Sequence, residues 1–483
     1  MKLEALLKDV ETIETNADLQ TEIHDICYDS RKAGQGDLFV AIKGFESDGH
    51  KYIGIAKSQG AVCCICEEKP TEDIPYILVE NSREALALVS KNYFDDPASK
   101  MTLIGITGTN GKTTTTLLLK HVLEDITGKK IGLIGTNENM IGQNVLPTER
   151  TTPESYELQK IFRQMADEGC KYVIMEVSSH SLVLSRVAGL HFEVAVFTNL
   201  TQDHLDFHKT MEEYAGAKAM LFERCDKAAI NLDDEWGGYM CERARCPVFT
   251  YSETKLEADL VAKDIRLSPG SIKFCALANN SLVRISLGIP GRFSVYNAMA
   301  VMSAALLLGL PLAKICESLK TAKGVKGRVE VVPTPDDFTI LIDYAHTPDA
   351  LENVLKSMKE VTEGRVVVVF GCGGDRDKTK RPIMGEIAAS LADYAIITSD
   401  NPRTEVPSAI IADILSGIKA PKNRYKVIEN RGEAIAFAID SHMAGDVIIL
   451  AGKGHETYQI IGKTKHHMDE REIVAEHLAT LKS

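Results

Sequence analysis

No stretch of this 483-residue sequence approaches 18 consecutive apolar residues, so no helical membrane span is predicted. The first residues, Met1 to Asn16, carry Glu4, Asp9, Glu11 and Glu14 and lack the apolar core of a secretory signal. A cytoplasmic protein with no membrane insertion is expected. Basic residues are the minority, 55 against 68 acidic for a net charge of −13, which disfavours a general nucleic-acid-binding surface. Any phosphate contact must then come from a local site. Repeat arrays and low-complexity tracts are also missing.

The eleven cysteines are scattered and follow no export signal, so they read as reduced thiols and not as a disulfide framework. Cys63-Cys64-Ile65-Cys66 has a CxxC spacing but no partner pair at zinc-site distance, and it sits in an apolar run. A buried strand is expected there, because free cysteine packs as a small hydrophobe.

What is present is ordinary globular material: 44% hydrophobic and 25% charged residues, enough for several cores. At roughly 150 residues per domain the chain divides into about three. The first hundred residues read as short strands (38–42, 61–66, 76–79), then an amphipathic helix over 82–94 and a linker over 95–100. A second region opens with a strand over 101–106, a glycine turn and a helix over 112–125. Buried strands at 172–177, 194–198 and 227–231 follow, alternating with helices, which predicts a mostly parallel sheet. Between Pro247 and Pro290 the pattern changes to short alternating strands, as in a small antiparallel insertion. From about Gly327 a further α/β unit has strands at 339–343, 365–370, 394–399 and 447–451. Polar clusters fall at the carboxyl ends of these strands, where open sheets collect ligands.

Gly108-Thr109-Asn110-Gly111-Lys112-Thr113-Thr114 lies between a strand and a helix. Glycines let backbone N–H groups close on phosphate oxygens, the helix start favours an anion, and Lys112 neutralises the β and γ phosphates of a nucleoside triphosphate. Such a loop by itself does not distinguish a ligase from a kinase or a GTPase switch. The Thr113 hydroxyl can ligate Mg²⁺. The strict GxxxxGK[ST] pattern would place glycine at position 106, where this chain has Ile106. Glu176 and His204 each follow a strand, where a carboxylate and an imidazole could join the metal. Taken singly, either could equally be a capping or surface residue.

Taken together, Gly105 to Thr114, Glu176-Val177-Ser178-Ser179-His180, Asn199 with Asp203-His204, Asn297, Arg328 and Asp343-Tyr344-Ala345-His346 resemble the Mur ligases of peptidoglycan precursor synthesis. The resemblance spans essentially the whole chain. It implies a small α/β UDP-binding domain (1–98), a central P-loop ATPase-type domain with the antiparallel insertion (99–328), and a Rossmann-like C-terminal domain that binds the amino acid (329–483). It also implies an activity: ATP phosphorylates a substrate carboxylate, an amine attacks the acyl phosphate, and an amide forms with release of ADP and phosphate. Asn297, Arg328 and Asp343 would join the loop in binding ATP. Lys218 matches the lysine that the family carbamylates with CO₂, a change from ammonium to metal-binding carboxylate. Mg²⁺ at two sites and a monomeric enzyme are expected.

The amino-terminal block Tyr28-Asp29-Ser30-Arg31 is similar to the part of the family that holds UDP-N-acetylmuramate, with Tyr28, Ser30, Phe45, Glu46 and Ser47 as contacts. Thr151, Thr152, Ser178 and Arg186 resemble contacts to an L-alanyl-D-glutamate portion, and Leu184 stands where relatives have glutamine. Asp400-Asn401-Pro402-Arg403 resembles the signature for meso-diaminopimelate, with Arg376, Gly452 and Glu456 completing the set. Diaminopimelate carries a distal carboxylate that lysine lacks, and a guanidinium binds a carboxylate bidentately. By itself the same tetrapeptide reads as a turn. The competing readings are a lysine-adding ligase of this family, a folylpolyglutamate synthase-like ligase, and a non-catalytic P-loop binding protein.

Overall fold

Valine-rich runs such as Val366–Phe370 cannot be half-exposed strands, since every residue in them is apolar; they need a sheet covered on both faces. The computed structural model describes residues 1–44, 47–148, 150–334 and 337–480. The chain forms two compact units, residues 1–260 with 300–311, and residues 261–299 with 312–483.

The first unit begins with a five-stranded sheet of β1 (Glu14–Thr15), β2 (Ile26–Cys27), β3 (Leu38–Val40), β4 (Cys63–Cys66) and β5 (Tyr76–Leu78), in the order β1-β5-β4-β3-β2. All but β1 run parallel. The CxxC segment is the buried strand β4. Side chains alternate along a strand, so Cys63 and Ile65 face one cluster while Cys64 and Cys66 face another. The two cysteines of the CxxC spacing therefore point to opposite faces. Burial pushes the Cys63 thiol up to about 12.

Helix α1 (Ser82–Tyr93), capped by the Asn81 side chain, leads into the central sheet. Its strands are β6 (Thr102–Thr107), β7 (Ile131–Ile134), β8 (Asn139–Ile141), β9 (Asn144–Leu146), β10 (Tyr172–Glu176), β11 (Phe192–Phe197), β12 (Cys225–Asn231) and β13 (Val248–Ser252). Their order is β13-β12-β11-β6-β10-β7-β8-β9. The β8–β9 hairpin, turned at Gly142 with φ +59°, was not legible as strand. β13 is a correction: it falls inside the stretch read as antiparallel, yet it pairs parallel to β12, with Ala228 opposite Val248. Tyr251 on β13 is fully buried and its hydroxyl donates to the Phe197 carbonyl, so this strand belongs to the sheet core.

On this sheet, β6 comes first in the chain but lies between β10 and β11. Three adjacent parallel strands thus end together at a point where the strand order reverses, the position at which such sheets bind ligands. Helices α2 (Lys112–Thr127), α4 (Ser179–Val183), α5 (Leu205–His208) and α6 (Met211–Ala219) follow these strand ends, and α3 (Ser155–Asp167) follows the β8–β9 hairpin. In α3, Leu158, Phe162 and Met165 recur at helical spacing and face the core.

In the second unit, β14 (Leu260–Ser268), β15 (Ser271–Ala278) and β16 (Ser281–Leu287) form the small antiparallel piece, with Ile272 opposite Leu287. Helix α7 (Arg292–Leu307) follows, with its residues up to Met299 in this unit and those from Ala300 in the first. A six-stranded sheet then contains β17 (Glu330–Val332), β18 (Thr339–Asp343), β19 (Val366–Phe370), β20 (Tyr394–Ile397), β21 (Tyr425–Val427) and β22 (Val447–Ala451). The order is β17-β18-β22-β19-β20-β21, all parallel except the edge strand β17. Val366, Val368 and Phe370 enter one core and Val367 and Val369 the opposite one, as a doubly covered sheet requires. Helix α8 (Pro348–Lys359) covers one face through Leu351, Val354, Leu355 and Met358, and Thr347 caps it with Pro348 in the first turn. Helix α9 (Lys380–Leu391) lies on the same side. A hairpin of β23 (Tyr458–Ile461) and β24 (Thr464–His467) follows β22.

Candidate active site

The phosphate loop starts where β6 ends. Gly108 has φ +148°, and a Cβ there would stand 1.9 Å from Thr198 Oγ1, so this position requires glycine. Gly111, with φ +84°, turns the chain into α2. Ile106 is buried in β6 between Glu176 of β10 and Val196 of β11. That explains the departure from the strict pattern: position 106 is still sheet, and the turn begins two residues later. The end of β11 then braces the loop. Thr198 Oγ1 donates to the Asn110 carbonyl (2.7 Å), Asn110 N donates to Asn199 Oδ1 (2.9 Å), and Thr109 N donates to the Asn199 carbonyl (2.9 Å).

Lys112 Nζ donates to the carbonyls of Gly108 (2.9 Å) and Thr109 (2.8 Å) and so lies over the loop. Lys218, buried on α6, donates to the same Gly108 carbonyl at 2.9 Å. Burial, and next the charge of Lys112, hold the Lys218 ammonium well below its usual range. Its Nζ lies 4.5 Å from the Tyr214 ring centre, and the Tyr214 hydroxyl shares a hydrogen bond with Thr109 Oγ1 (3.2 Å). Tyr214 went unnoticed in the sequence, although four residues before Lys218 on a helix is the same face.

Glu176 ends β10 and is almost fully buried. Its carboxylate accepts from Thr136 N and from Thr136 Oγ1, both at 2.9 Å. Thr151 reaches this carboxylate through Thr136 Oγ1 (2.9 Å), and Thr152 Oγ1 donates to the Glu176 carbonyl (2.8 Å). Ser178 N donates to Thr152 Oγ1 (3.2 Å), and Arg186 Nη1 donates to the Thr152 carbonyl (3.2 Å). Of the residues expected at the dipeptide, Thr152 bonds directly to Glu176, the residue expected at the metal, Thr151 connects to it through Thr136, and Ser178 and Arg186 through Thr152. His204 holds φ +53° at the start of α5, its ring 4.9 Å from that of His180 and 6.1 Å from Tyr214. Thr113 is buried in the first turn of α2. Among the described residues, no three His, Cys, Asp or Glu side chains converge as a metal site.

Tyr28 lines a cleft of 490 Å³ in this unit, with Lys32, Arg150, Glu154 and Lys160 around it, and donates to Glu157 at 2.8 Å. Ser30 is buried in the turn after β2, and Ser47 Oγ donates to the Tyr52 hydroxyl. Phe45 and Glu46 lie outside the described residues. Leu184 is half-buried at the end of α4.

In the second unit, Asn297 is buried on α7. Asp343 ends β18 and accepts from Val329 N and Ala345 N, both 2.8 Å. Burial raises its carboxyl above the ordinary range, against the pull of Arg328. The Arg328 guanidinium lies 5.2 Å from the Tyr344 ring centre.

The DNPR segment follows β20. Asp400 and Asn401 are buried, and Asn401 Nδ2 donates to Glu456 Oε2 at 2.9 Å. Arg403, at φ +51°, donates from Nη1 to the Gly374 carbonyl (2.8 Å), and its backbone bridges to Ile461 of β23. Gly452, at φ +112°, leaves room for Asp400, whose Oδ2 a Cβ would approach to 2.7 Å. Arg376 is exposed and donates only to the neighbouring Asp375 carbonyl among the bonds described. The ends of β19, β20 and β22 therefore bring together Gly373, Asp400, Asn401, Pro402, Arg403, Gly452 and Glu456. Two basic residues were missed. Arg381 is fully buried between Glu405 and Asp413 (2.8 Å each), and Lys453 is fully buried against Asn401 and Glu456. Burial of a cation leaves no mark in a sequence.

A phosphate loop at a strand-order reversal, joined in one chain to a second Rossmann-like sheet with charged residues clustered at its strand ends, marks a nucleotide-using α/β enzyme of several domains. Family models match three consecutive stretches: "Mur ligase family, catalytic domain" over 22–94, "Mur ligase middle domain" over 106–305, and "Mur ligase, glutamate ligase domain" over 327–454. A UDP-N-acetylmuramoyl-L-alanyl-D-glutamate–2,6-diaminopimelate ligase of Caldanaerobacter subterraneus subsp. tengcongensis is 51% identical, over 99% of each chain. One of the same description from Clostridium botulinum is 47% identical, also over 99% of each. A solved structure with that description has a TM-score of 0.76 at 32% identity, covering 100% of this chain and 99% of the other. The chain belongs to the Mur ligase family, and its fold is the three-domain α/β fold of those ligases.

Proposed function

We propose that this protein is the ATP-dependent, ADP-forming ligase that joins meso-diaminopimelate to UDP-N-acetylmuramoyl-L-alanyl-D-glutamate in peptidoglycan precursor synthesis. Supporting this is the full-length similarity to ligases named for that reaction. The observation that carries it is that Asn401 donates to Glu456, that Lys453 ties both to Asp400, and that Arg403 of the same DNPR segment donates to the Gly374 carbonyl beyond the end of β19. A guanidinium and carboxylates supplied by one DNPR segment and the loop after β22 suit a ligand end that carries both a carboxylate and an ammonium. Lysine has only the ammonium there.

In the first step a substrate carboxylate oxygen attacks the γ-phosphorus of ATP and ADP leaves. The diaminopimelate amine then attacks the acyl carbon to form the C–N bond, phosphate leaves with the electron pair of the broken C–O bond, and the nitrogen loses a proton to solvent. Lys112 over the loop stabilises the phosphate charge, and Arg328 adds to it. Thr151, Thr152, Ser178 and Arg186 orient the dipeptide carboxylate, and Tyr28, Ser30, Phe45, Glu46 and Ser47 hold the UDP-sugar. The domain limits that go with this reading are 98/99 and 328/329, in a cytoplasmic monomer.

Mg²⁺ at two sites neutralises the phosphates when bound. Thr113, Glu176, His204 and Lys218 are the residues that would hold it, with Lys218 as a carbamate. The fit rests on Gly108: two ammonium groups, Lys112 and Lys218, meet at its one carbonyl oxygen. They repel each other, and an N-carboxylate on Lys218 turns the repulsion into attraction. Burial and the neighbouring Lys112 charge lower the Lys218 pKa, which favours the neutral amine that attack on CO₂ requires.

The test is ADP release with the UDP-linked dipeptide and either meso-diaminopimelate or L-lysine. Diaminopimelate is expected to be preferred at least a hundredfold in kcat/KM. Preference for lysine would overturn the substrate assignment.

A further inference from the structure

Between the two glycines that close β22, one side chain is turned fully into the protein. Gly452 has φ +112° and Gly454 φ +51°; a Cβ on Gly454 would stand 2.6 Å from that of Tyr344. The backbone between them directs Lys453 inward, and it has no exposed surface. Its ammonium donates to Asn401 Oδ1 (2.9 Å), to Glu456 Oε2 (2.6 Å) and to the Tyr458 carbonyl, with Asp400 Oδ1 3.9 Å away. An ammonium has three donors and no acceptor, so Lys453 is saturated by the protein.

That saturation has directional consequences. Asn401 Oδ1 accepts from both Lys453 and Ile460 N (2.9 Å), which fixes the amide so that Nδ2 faces Glu456 Oε2 at 2.9 Å. Glu456 Oε2 then receives two donors. Its other oxygen accepts no hydrogen bond among the described residues, which leaves it for an incoming ammonium. Lys453 also offsets one of the two negative charges of Asp400 and Glu456, leaving the pair matched to a single cation.

We infer that Lys453 is a positioning residue for amino-acid selection, aiming Asn401 and Glu456 at the distal end of the substrate without touching it. The inference rests on the proposed diaminopimelate site. It extends that reading to a residue whose charge faces away from the ligand.

Wild-type turnover with diaminopimelate and with L-lysine is measured first, since absence of diaminopimelate-dependent ADP release would sink the site itself. Lys453→Gln is then expected to raise KM for diaminopimelate at least tenfold, with KM for ATP and for the UDP-linked dipeptide within twofold of wild type. The preference for diaminopimelate over lysine should fall at least tenfold. Combined with Glu456→Gln, it should add less than threefold, because residues that act through one another are not additive. A diaminopimelate KM within twofold of wild type, an equal rise for all three substrates, or full additivity overturns the inference. Lys453→Arg keeps the charge but not the three-point geometry. It carries the same test if the glutamine variant does not fold, and in it a diaminopimelate KM within twofold of wild type again overturns the inference.

Discussion

Arg403 spends one N–H on the Gly374 carbonyl, which fixes the plane of its guanidinium before any ligand arrives. Its left-handed φ of +51° is tolerated because the backbone on both sides is tied to β23, through Arg403 N to the Ile460 carbonyl and Gly462 N to the Arg403 carbonyl. Arg403→Ala should therefore raise KM for diaminopimelate by roughly ten- to hundredfold, as loss of a hydrogen bond to a charged group costs about 1.5–3 kcal/mol. Steady-state kinetics with diaminopimelate varied will show it, and an unchanged KM would remove Arg403 from the site. Lys218 makes a different demand on its surroundings. Lys218→Ala should lose turnover and regain part of it with added acetate or formate, since a small carboxylate can stand where the carbamate would. No recovery in a variant that still binds ATP would count against carbamylation.

At the scale of elements, the loops are held from behind. Arg381 on α9 is buried and pairs with Glu405, just past the DNPR segment, and with Asp413. The Arg381 bond first, then the Asp375 amide and Lys378, hold the Glu405 carboxyl down to about 2, from an ordinary 4.5. A lowered carboxylate stabilises the fold above its unfolded value, and the contribution is lost as pH falls towards the folded one. Glu405→Gln should thus lower the melting temperature at pH 7, and its difference from wild type should shrink between pH 4.5 and pH 2. A difference independent of pH would mean that the pair acts by packing alone. Helix and strand positions of this kind were partly legible in the sequence. β22 reads off directly as Val447–Ala451, because five apolar residues between polar turns suit only a covered strand. The β8–β9 and β23–β24 hairpins were not legible: Thr464–His467 is fully exposed, so no apolar period marks it, and its pairing is its only signature.

At the scale of the molecule, one chain must carry a phosphate site, a carboxylate to be activated and an amine to receive it. Lys112→Ala should abolish substrate-dependent ADP release. It should also abolish the rise in melting temperature that ATP at 100 times Kd gives the wild type, worth about 2.7 kcal/mol by mass action. Calorimetry and a coupled ADP assay check both, and full turnover in the variant would refute the assignment of the loop. The sequence by itself determined the contiguous features: the strand–glycine turn–helix at Gly108 to Thr114, the DNPR segment at a strand end, and the alternation of strands and helices that makes parallel sheets. These are legible because the responsible residues are neighbours in the chain or recur at the period of an element. Only the tertiary structure decided that Ile106 stays in the sheet, that Thr198 and Asn199 brace the loop from another strand, that Lys112 and Lys218 share one carbonyl oxygen, and that Lys453 is buried behind Asn401 and Glu456. Each depends on strands far apart in sequence ending side by side, and a linear order of residues does not contain burial or the charge that burial sets against its neighbours.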